Sequence, residues 1–206
     1  MRSAADLLYR CSRIPVLDAM TTTGMLGVDR RARAEALRSL VLIPGEHVLE
    51  LACGTGRLLP RLAVAVGPQG RVVGVDASQG LLRRAHARTA ALTNVELRCE
   101  SWPSNFSGPV DAAICVLGLS VIDQWVSAFN QLLHVVRPGG RIAIVDQFTD
   151  RARTGPLATY VRFAGRVAGA DPEREVEGVG RTYLAGASTR SFPLGVRLIH
   201  GFVANA

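Results

Sequence analysis

Not one lysine occurs among the 206 residues; all 24 basic residues are arginine, against 17 acidic ones, for a formal net charge of +7. That absence excludes the phosphate loop G-x-x-x-x-G-K-[ST], which cannot be built without its lysine. A complete lack of lysine also reads as coding bias, so arginine richness alone says little about a phosphate partner. Aromatics are scarce at 5% and no nucleic-acid recognition motif is present, which together disfavour DNA or RNA as a partner. The basic balance leaves anionic membrane lipid or an acidic small molecule open. The four cysteines, Cys11, Cys53, Cys99 and Cys115, form no Cys-x-x-Cys pair and no zinc spacing with the histidines. They read as buried thiols, and no metal site is expected. No apolar run reaches ~18 residues, so no membrane-spanning helix is expected. The opening MRSAADLLYRCSRIP is too broken by arginine for a secretory signal, which points to the cytoplasm.

With 48% hydrophobic residues, the chain has enough apolar material for one domain with a real core. Apolar runs at His47–Ala52, Arg71–Asp76, Val95–Cys99, Val110–Leu117 and Arg141–Gln147 read as strands. Helical patterns lie between them at Arg57–Val66, Ser78–Ala91 and Ser120–Val136. Strands such as VVGVD and IAIVD are apolar throughout, as expected when helices cover both faces of a parallel sheet. Helical pieces precede them over residues 3–40. A helical pair (Pro156–Ala168 and Pro172–Ala185) and two strand-like runs, STRSFPL and IHGFVAN, follow, the last two suiting an antiparallel edge. The expected organisation is one domain over 1–206: leading helices (1–40), a cofactor core (41–150), a lid insert with its helix (151–186) and closing strands (187–206).

VLELACGTGRLL carries the chemistry. A glycine turn after a strand marks a ligand site at the carboxyl ends of an open α/β sheet. The dinucleotide fingerprint G-x-G-x-x-G is met by Gly54 and Gly56, but its third glycine falls on Leu59. Glu50, near the strand's carboxyl end, would repel a phosphate and attract an ammonium. Asp76 follows Gly56 by twenty residues and ends the second strand, where an acid takes ribose hydroxyls. Ribose, no phosphate and a positive amino group describe S-adenosylmethionine. Singly these features have plainer readings: tight packing at the glycines, and helix capping by Asp76.

Taken in order, VLELACGTGRL, VVGVDAS, VELRCESWP, VDAAICVLGLSVID and LLHVVRPGGRIAIVDQF resemble the motifs of class I S-adenosylmethionine-dependent methyltransferases. The similarity is closest to the ubiquinone/menaquinone C-methyltransferases and the related phospholipid N-methyltransferases. It implies a Rossmann-like fold with a mainly parallel seven-stranded sheet, an antiparallel C-terminal edge and helices on both faces. It also implies a cofactor site. Glu50 would lie at the methionine amino group, with Ala52, Cys53, Gly54, Thr55 and Gly56 forming the turn against methionine and ribose. Asp76 would take the ribose hydroxyls, with Ala77 and Ser78 beside the adenine. Glu100 and Ser101 would meet the adenine edge, Val116, Leu117 and Gly118 would underlie the methionine, and Tyr9 would close over its carboxylate; Cys53 and Trp102, also counted with the cofactor site, read as packing residues near it rather than reactants. This chain departs from the family pattern in having Glu50 for Asp, and Cys99-Glu100-Ser101 for Gly-Asp-Ala.

Methyl transfer from a sulfonium needs alignment and dryness rather than a metal or covalent intermediate, and S-adenosylhomocysteine is the expected product. No Ser-His-Asp or Cys-His set stands out. Asp146 and His200 are the weak candidates for a base, while His47, His86 and His134 read as surface or helix-end residues. The segment GPLATYVRFAGRVAGA places Arg162 and Arg166 one turn apart beside an apolar stripe, which suits a lid over a small hydrophobic acceptor (a quinone or phenol, a lipid, a secondary metabolite) or contact with anionic membrane, although the commoner role of such a helix is to pack on the core with its arginines solvated. A homo-oligomer is left open. Three other functions compete: other chemistry using the same cofactor, a non-catalytic cofactor-binding module, and a nicotinamide-dependent oxidoreductase.

Overall fold

A computed structural model describes residues 27–102, 104–147, 174 and 176–205. The elements run α1 (Val28–Ser39), β1 (His47–Leu51), α2 (Leu59–Val66), β2 (Arg71–Asp76), α3 (Gln79–Thr89), β3 (Val95–Cys99), β4 (Val110–Val116), α4 (Trp125–Val135), β5 (Val136–Gln147), α5 (Val176–Tyr183), β6 (Leu184–Ser191) and β7 (Val196–Val203), with a short 3-10 turn at Pro193–Gly195. One seven-stranded sheet has the order β3-β2-β1-β4-β5-β7-β6. Its first five strands pair in parallel, and β7 runs antiparallel to both β5 and β6. The expected α/β fold with an antiparallel C-terminal edge is thus present.

Each face of the sheet carries its own core, which is why the central strands are apolar at successive positions. Val48, Val72, Ala112, Ile114 and Val145 pack with Ala32, Ala36 and Leu40 of α1 and with Leu59, Leu62 and Val66 of α2. Leu49, Leu51, Val73, Ala113 and Ile144 pack on the other side with Ala128, Phe129 and Leu132 of α4 and with Trp102. Alternation along each strand assigns the faces. Glu50 therefore shares the face of Val48 and α1, and Asp146 the face of Ile144.

Several boundaries differ from expectation, the closing strands among them, which span Leu184–Ser191 and Val196–Val203 rather than STRSFPL and IHGFVAN. The helix expected from Ser120 begins at Trp125, because Ser120 donates its backbone N–H to buried Asp146 (2.9 Å) while Val121 and Ile122 turn back onto the Gly118 carbonyl. The strand expected from Arg141 begins at Val136, its Arg-Pro-Gly-Gly run being absorbed where the β4–β5 register shifts. The helix expected at Pro172–Ala185 covers Val176–Tyr183, and Leu184 and Ala185 already belong to β6. The expected helix at Pro156–Ala168 and the leading pieces before residue 27 lie outside the described residues.

Gly56 shows how tightly the first crossover is set. Its φ is +71°, and a Cβ there would sit 2.9 Å from both Ala85 Cβ on α3 and Leu59 Cδ1 on α2. Gly56→Ala is expected to lower stability by about 2 kcal/mol, combining left-handed strain with overpacking. Chemical denaturation measures it, and a change below about 0.5 kcal/mol would contradict the packing.

Candidate functional site

The order of the sheet reverses direction between β1 and β4, so their carboxyl ends form the crevice in which open α/β sheets bind ligands. The backbone turns sharply on both sides of it. Ala52 follows β1 with φ 53° and Leu117 follows β4 with φ 57°, non-glycine residues in the left-handed region, each strained by ~1–3 kcal/mol, as is common at ligand sites. The two turns touch: a Cβ on Gly118 would lie 2.7 Å from Ala52 Cβ and 2.6 Å from Cys115 Sγ. Gly54 is the opposite case. With φ +57° and nothing within 4 Å of where its Cβ would be, it leaves the turn open to an approaching group.

Asp76, at the end of β2, reaches into this turn. Its Oδ2 accepts from Gly54 N–H (2.9 Å) and its Oδ1 from Ser78 N–H (2.8 Å). Burial raises its pKa while those two backbone donors oppose the rise. The cap of α3 is Ser78, whose Oγ accepts from Leu81 N–H, so Asp76 braces the glycine turn rather than capping the helix. Each carboxylate oxygen retains a further lone pair for a ligand hydroxyl.

Glu50 sits on β1 at 1% exposure. The other buried carboxylates, Asp29, Glu46 and Asp146, each accept a hydrogen bond. Among the described residues, Oε2 of Glu50 accepts none. Desolvation pushes its pKa up to about 8, with Asp76 adding to the rise and the Arg33 guanidinium opposing it. A buried carboxylate oxygen without a partner costs a few kcal/mol unless something supplies a donor. An ammonium group supplies one.

The remaining expected site residues divide. Val116 is buried, and Leu117 and Ala52 are half-buried, all at the crevice. Ala77 is exposed at its rim, beside Cys99, which donates its thiol to the Ala77 carbonyl (3.8 Å). Glu100 donates its backbone N–H to the Asp76 carbonyl (3.2 Å), placing it next to Asp76, and Ser101 is exposed. Thr55 instead turns to α3, where Arg88 donates to its carbonyl and its Oγ1. Trp102 is buried in the α4-side core, its Nε1 donating to the Ala128 carbonyl (2.9 Å) and its ring 5.9 Å from that of Phe106. Cys53 is buried at 4% exposure, and desolvation drives its thiol pKa far above the ordinary range, so it is not a nucleophile. Tyr9 lies outside the described residues.

The two candidate bases stand apart. His200 pairs with Ala143 in the β5–β7 ladder, and Asp146 lies three residues further along β5. Cross-strand partners share a face, so His200 is on the α1 side and Asp146 on the other. Asp146 holds the turn after β4 through Ser120, at the crevice. Among the described residues, no group of three or more His, Cys, Asp or Glu is placed to hold a metal, and no helix is long and apolar enough to cross a membrane.

Two features escaped the reading of the sequence. Buried Asp29 pairs with part-exposed Arg33 and Arg57, and the charge of Arg33 bears on Glu50. Arg174 donates to the carbonyls of Leu119 (2.7 Å) and Ile122, in the segment that follows β4.

Residues 48–140 match a family model described as a methyltransferase domain. The chain is 33% identical over 154 residues to the ubiquinone/menaquinone biosynthesis C-methyltransferase UbiE of Syntrophotalea carbinolica, covering 72% of this chain and 64% of that protein. It is 34% identical to the 2-phytyl-1,4-naphtoquinone methyltransferase of Synechococcus elongatus, covering 64% of this chain and 59% of that one. The chain thus spans less than two thirds of the length of these relatives. In three dimensions it resembles phosphoethanolamine N-methyltransferase 2 of Haemonchus contortus, solved with S-adenosyl-L-methionine. The TM-score is 0.73 over 100% of this chain and 61% of that one; at 13% identity this likeness speaks for the fold.

Proposed function

We propose that this chain, which carries the class I S-adenosylmethionine-dependent methyltransferase domain and resembles the ubiquinone/menaquinone C-methyltransferases, transfers a methyl group to a small hydrophobic acceptor. The Oε2 of Glu50, without a hydrogen-bond partner among the described residues, carries this reading, because a ligand ammonium at the crevice would supply the donor that this buried carboxyl oxygen lacks. The open space over Gly54 fits a ligand resting directly on the backbone. S-adenosylmethionine fits both, with ammonium for Glu50, ribose hydroxyls for Asp76 and no phosphate to be repelled. When bound, it supplies a sulfonium methyl open to in-line displacement by a nucleophile.

The chain's own residues bind, orient and exclude water. Glu50 fixes the amino-acid end, Asp76 holds the ribose while bracing Gly54, and the Ala52 and Leu117 turns shape the floor. Asp146 holds the turn that carries Ser120, so its role is to keep that floor in place. Two relatives named as quinone methyltransferases support an apolar ring acceptor of the quinone or phenol class, with lipids and secondary metabolites as competing acceptors. The cytoplasm, with the arginine-rich surface able to rest on anionic lipid, is the setting this proposal assigns.

Incubation with S-adenosylmethionine and a panel of quinones, phenols and phospholipids tests it. The expected result is an acceptor heavier by one CH2 unit, formed in step with S-adenosylhomocysteine. A modified acceptor of unchanged mass would assign other chemistry to the site. Tight cofactor binding with no acceptor altered would favour a non-catalytic module.

A further inference from the structure

Charge is divided between the two faces of the sheet. α1, α2 and α3 all pack on the face of Val48 and Val72, ranged across it with α3 on β2 and β3, α2 on β1 and β2, and α1 on β4, β5 and β7. These three helices carry eight arginines against two acids, a surplus of six where the whole chain has +7. On the opposite face α4 has neither arginine nor acid, and α5 has one of each. A coding bias explains arginine in place of lysine; it does not explain why α2 and α3 hold no acid at all. Arg33, Arg38 and Arg88 are engaged by Asp29, Glu35 and Thr55. Arg30, Arg31, Arg61, Arg83 and Arg84 have no ion-pair partner among the described residues, and all but half-buried Arg84 are exposed.

The same layer exposes apolar side chains at one end. Val64, three residues from Arg61 on the outer side of α2, is 78% exposed, and Val41 and Ile43, between α1 and β1, are 69% and 57% exposed. That connection lies against the end of α2: Gly45 donates its N–H to the Val66 carbonyl (2.8 Å), and a Cβ on Gly67 would meet Pro44 Cβ at 3.9 Å. Val41 stands at φ 45°, a region that β-branched residues rarely enter and that marks functional segments. One exposed aliphatic needs no explanation; three together in a layer of unpaired guanidiniums do. We propose that the outer face of α1, α2 and α3 docks on an anionic lipid bilayer. The five unpaired arginines bind headgroup phosphates, and Val41, Ile43 and Val64 enter the boundary between headgroups and acyl chains. Guanidinium suits phosphate through paired N–H donors, and an apolar edge beside it gains burial at a lipid interface. The three helices carry no Phe, Tyr or Trp on which a nucleic-acid base would stack. A second copy of the same basic face would repel it. The inference deepens the membrane setting proposed above by naming the face that meets lipid, and it holds whichever acceptor is methylated. The crevice opens at the carboxyl ends of β1 and β4, on the edge of the sheet, so docking of the helix layer leaves it clear.

Sedimentation with vesicles of equimolar phosphatidylcholine and phosphatidylglycerol, against phosphatidylcholine alone, tests it. Wild-type protein is expected to bind the anionic vesicles at least about tenfold more strongly, an excess that shrinks as salt is raised. The double variant Arg61→Gln, Arg83→Gln should weaken that binding by at least about tenfold, at about fivefold for each arginine. Arg98→Gln with Arg181→Gln removes the same charge from the other side of the sheet and should weaken it by less than about threefold. Val64→Ser should weaken it by about threefold or more. S-adenosylhomocysteine affinity should be unchanged in every variant, so a failure of lipid binding and a failure of the cofactor reading are seen separately. Equal weakening by the two double variants would overturn the proposal, since net charge rather than this face would then govern. Equal binding to both kinds of vesicle, or an unaltered Val64→Ser, would overturn it too. Tighter binding to a DNA duplex of random sequence, lost in Arg61→Gln, Arg83→Gln, would give the face to nucleic acid instead.

Discussion

Replacing Asp76 with alanine is expected to lower affinity for S-adenosylhomocysteine by about 100-fold or more, equivalent to about 2.7 kcal/mol. Two losses combine. The ribose loses a charged acceptor, and hydrogen bonds to charged groups contribute ~1.5–3 kcal/mol. The glycine turn loses its brace, because Oδ2 holds Gly54 N–H at 2.9 Å and Oδ1 holds Ser78 N–H at 2.8 Å. The measurement is calorimetry on wild type and variant, with circular dichroism to confirm that the sheet survives. A loss of less than about fivefold would show that Asp76 does not face the ribose. Asp76→Asn separates the two contributions, since its amide oxygen can still accept from one backbone donor while the charge is gone.

Glu50→Gln is expected to stabilise the unliganded protein near and above neutral pH while weakening the cofactor. Burial raises the folded-state pKa from 4.5 to about 8, with Arg33 opposing and Asp76 reinforcing the rise. The folded protein therefore holds a proton that the unfolded chain has released throughout the window between those two values. There the unfolded state binds fewer protons, so stability falls as pH rises, at a limiting slope of about 1.4 kcal/mol per pH unit. Glutamine abolishes that slope. Melting temperatures across pH 5 to pH 9, taken here as roughly bracketing the window, should decline for wild type and flatten for the variant. S-adenosylhomocysteine binding should weaken about 30-fold or more in the variant, through loss of the ammonium partner. Parallel pH profiles for the two proteins would place the titration elsewhere. Undiminished affinity would remove Glu50 from the ligand. A stabilising substitution that abolishes binding is the usual signature of a residue kept for function.

The sheet was legible in the sequence because both of its faces are covered. Runs such as VVGVD and AAICV cannot be confused with half-exposed strands, and β2 and β3 match their expected limits. What escaped depends on contacts between residues far apart in the chain. The helix after β4 starts late because Asp146, twenty-six residues on, captures the N–H of Ser120. Thr55, expected at the ligand, is drawn away by Arg88 thirty-three residues later. Trp102, read as a packing residue near the site, is one, held by a carbonyl of α4. The acidic positions of the site could be read from strand ends and glycine spacing, but the empty valence of Glu50 could not. The Asp-x-x-x-Arg spacing in α1 was visible, but such pairs are common on solvated helix faces, and nothing local marks this one as buried.

One titration tests the central claim most directly: S-adenosylhomocysteine into wild-type protein at neutral pH, in buffers of different ionisation enthalpy, with NAD as the comparison ligand. The account predicts that S-adenosylhomocysteine binds and NAD does not. It also predicts that a proton is released on binding, because the ammonium ionises a Glu50 whose pKa in the free protein stands near 8. That release appears as a dependence of the measured enthalpy on the buffer. Binding of NAD in preference, or of S-adenosylhomocysteine with no proton released, would contradict it.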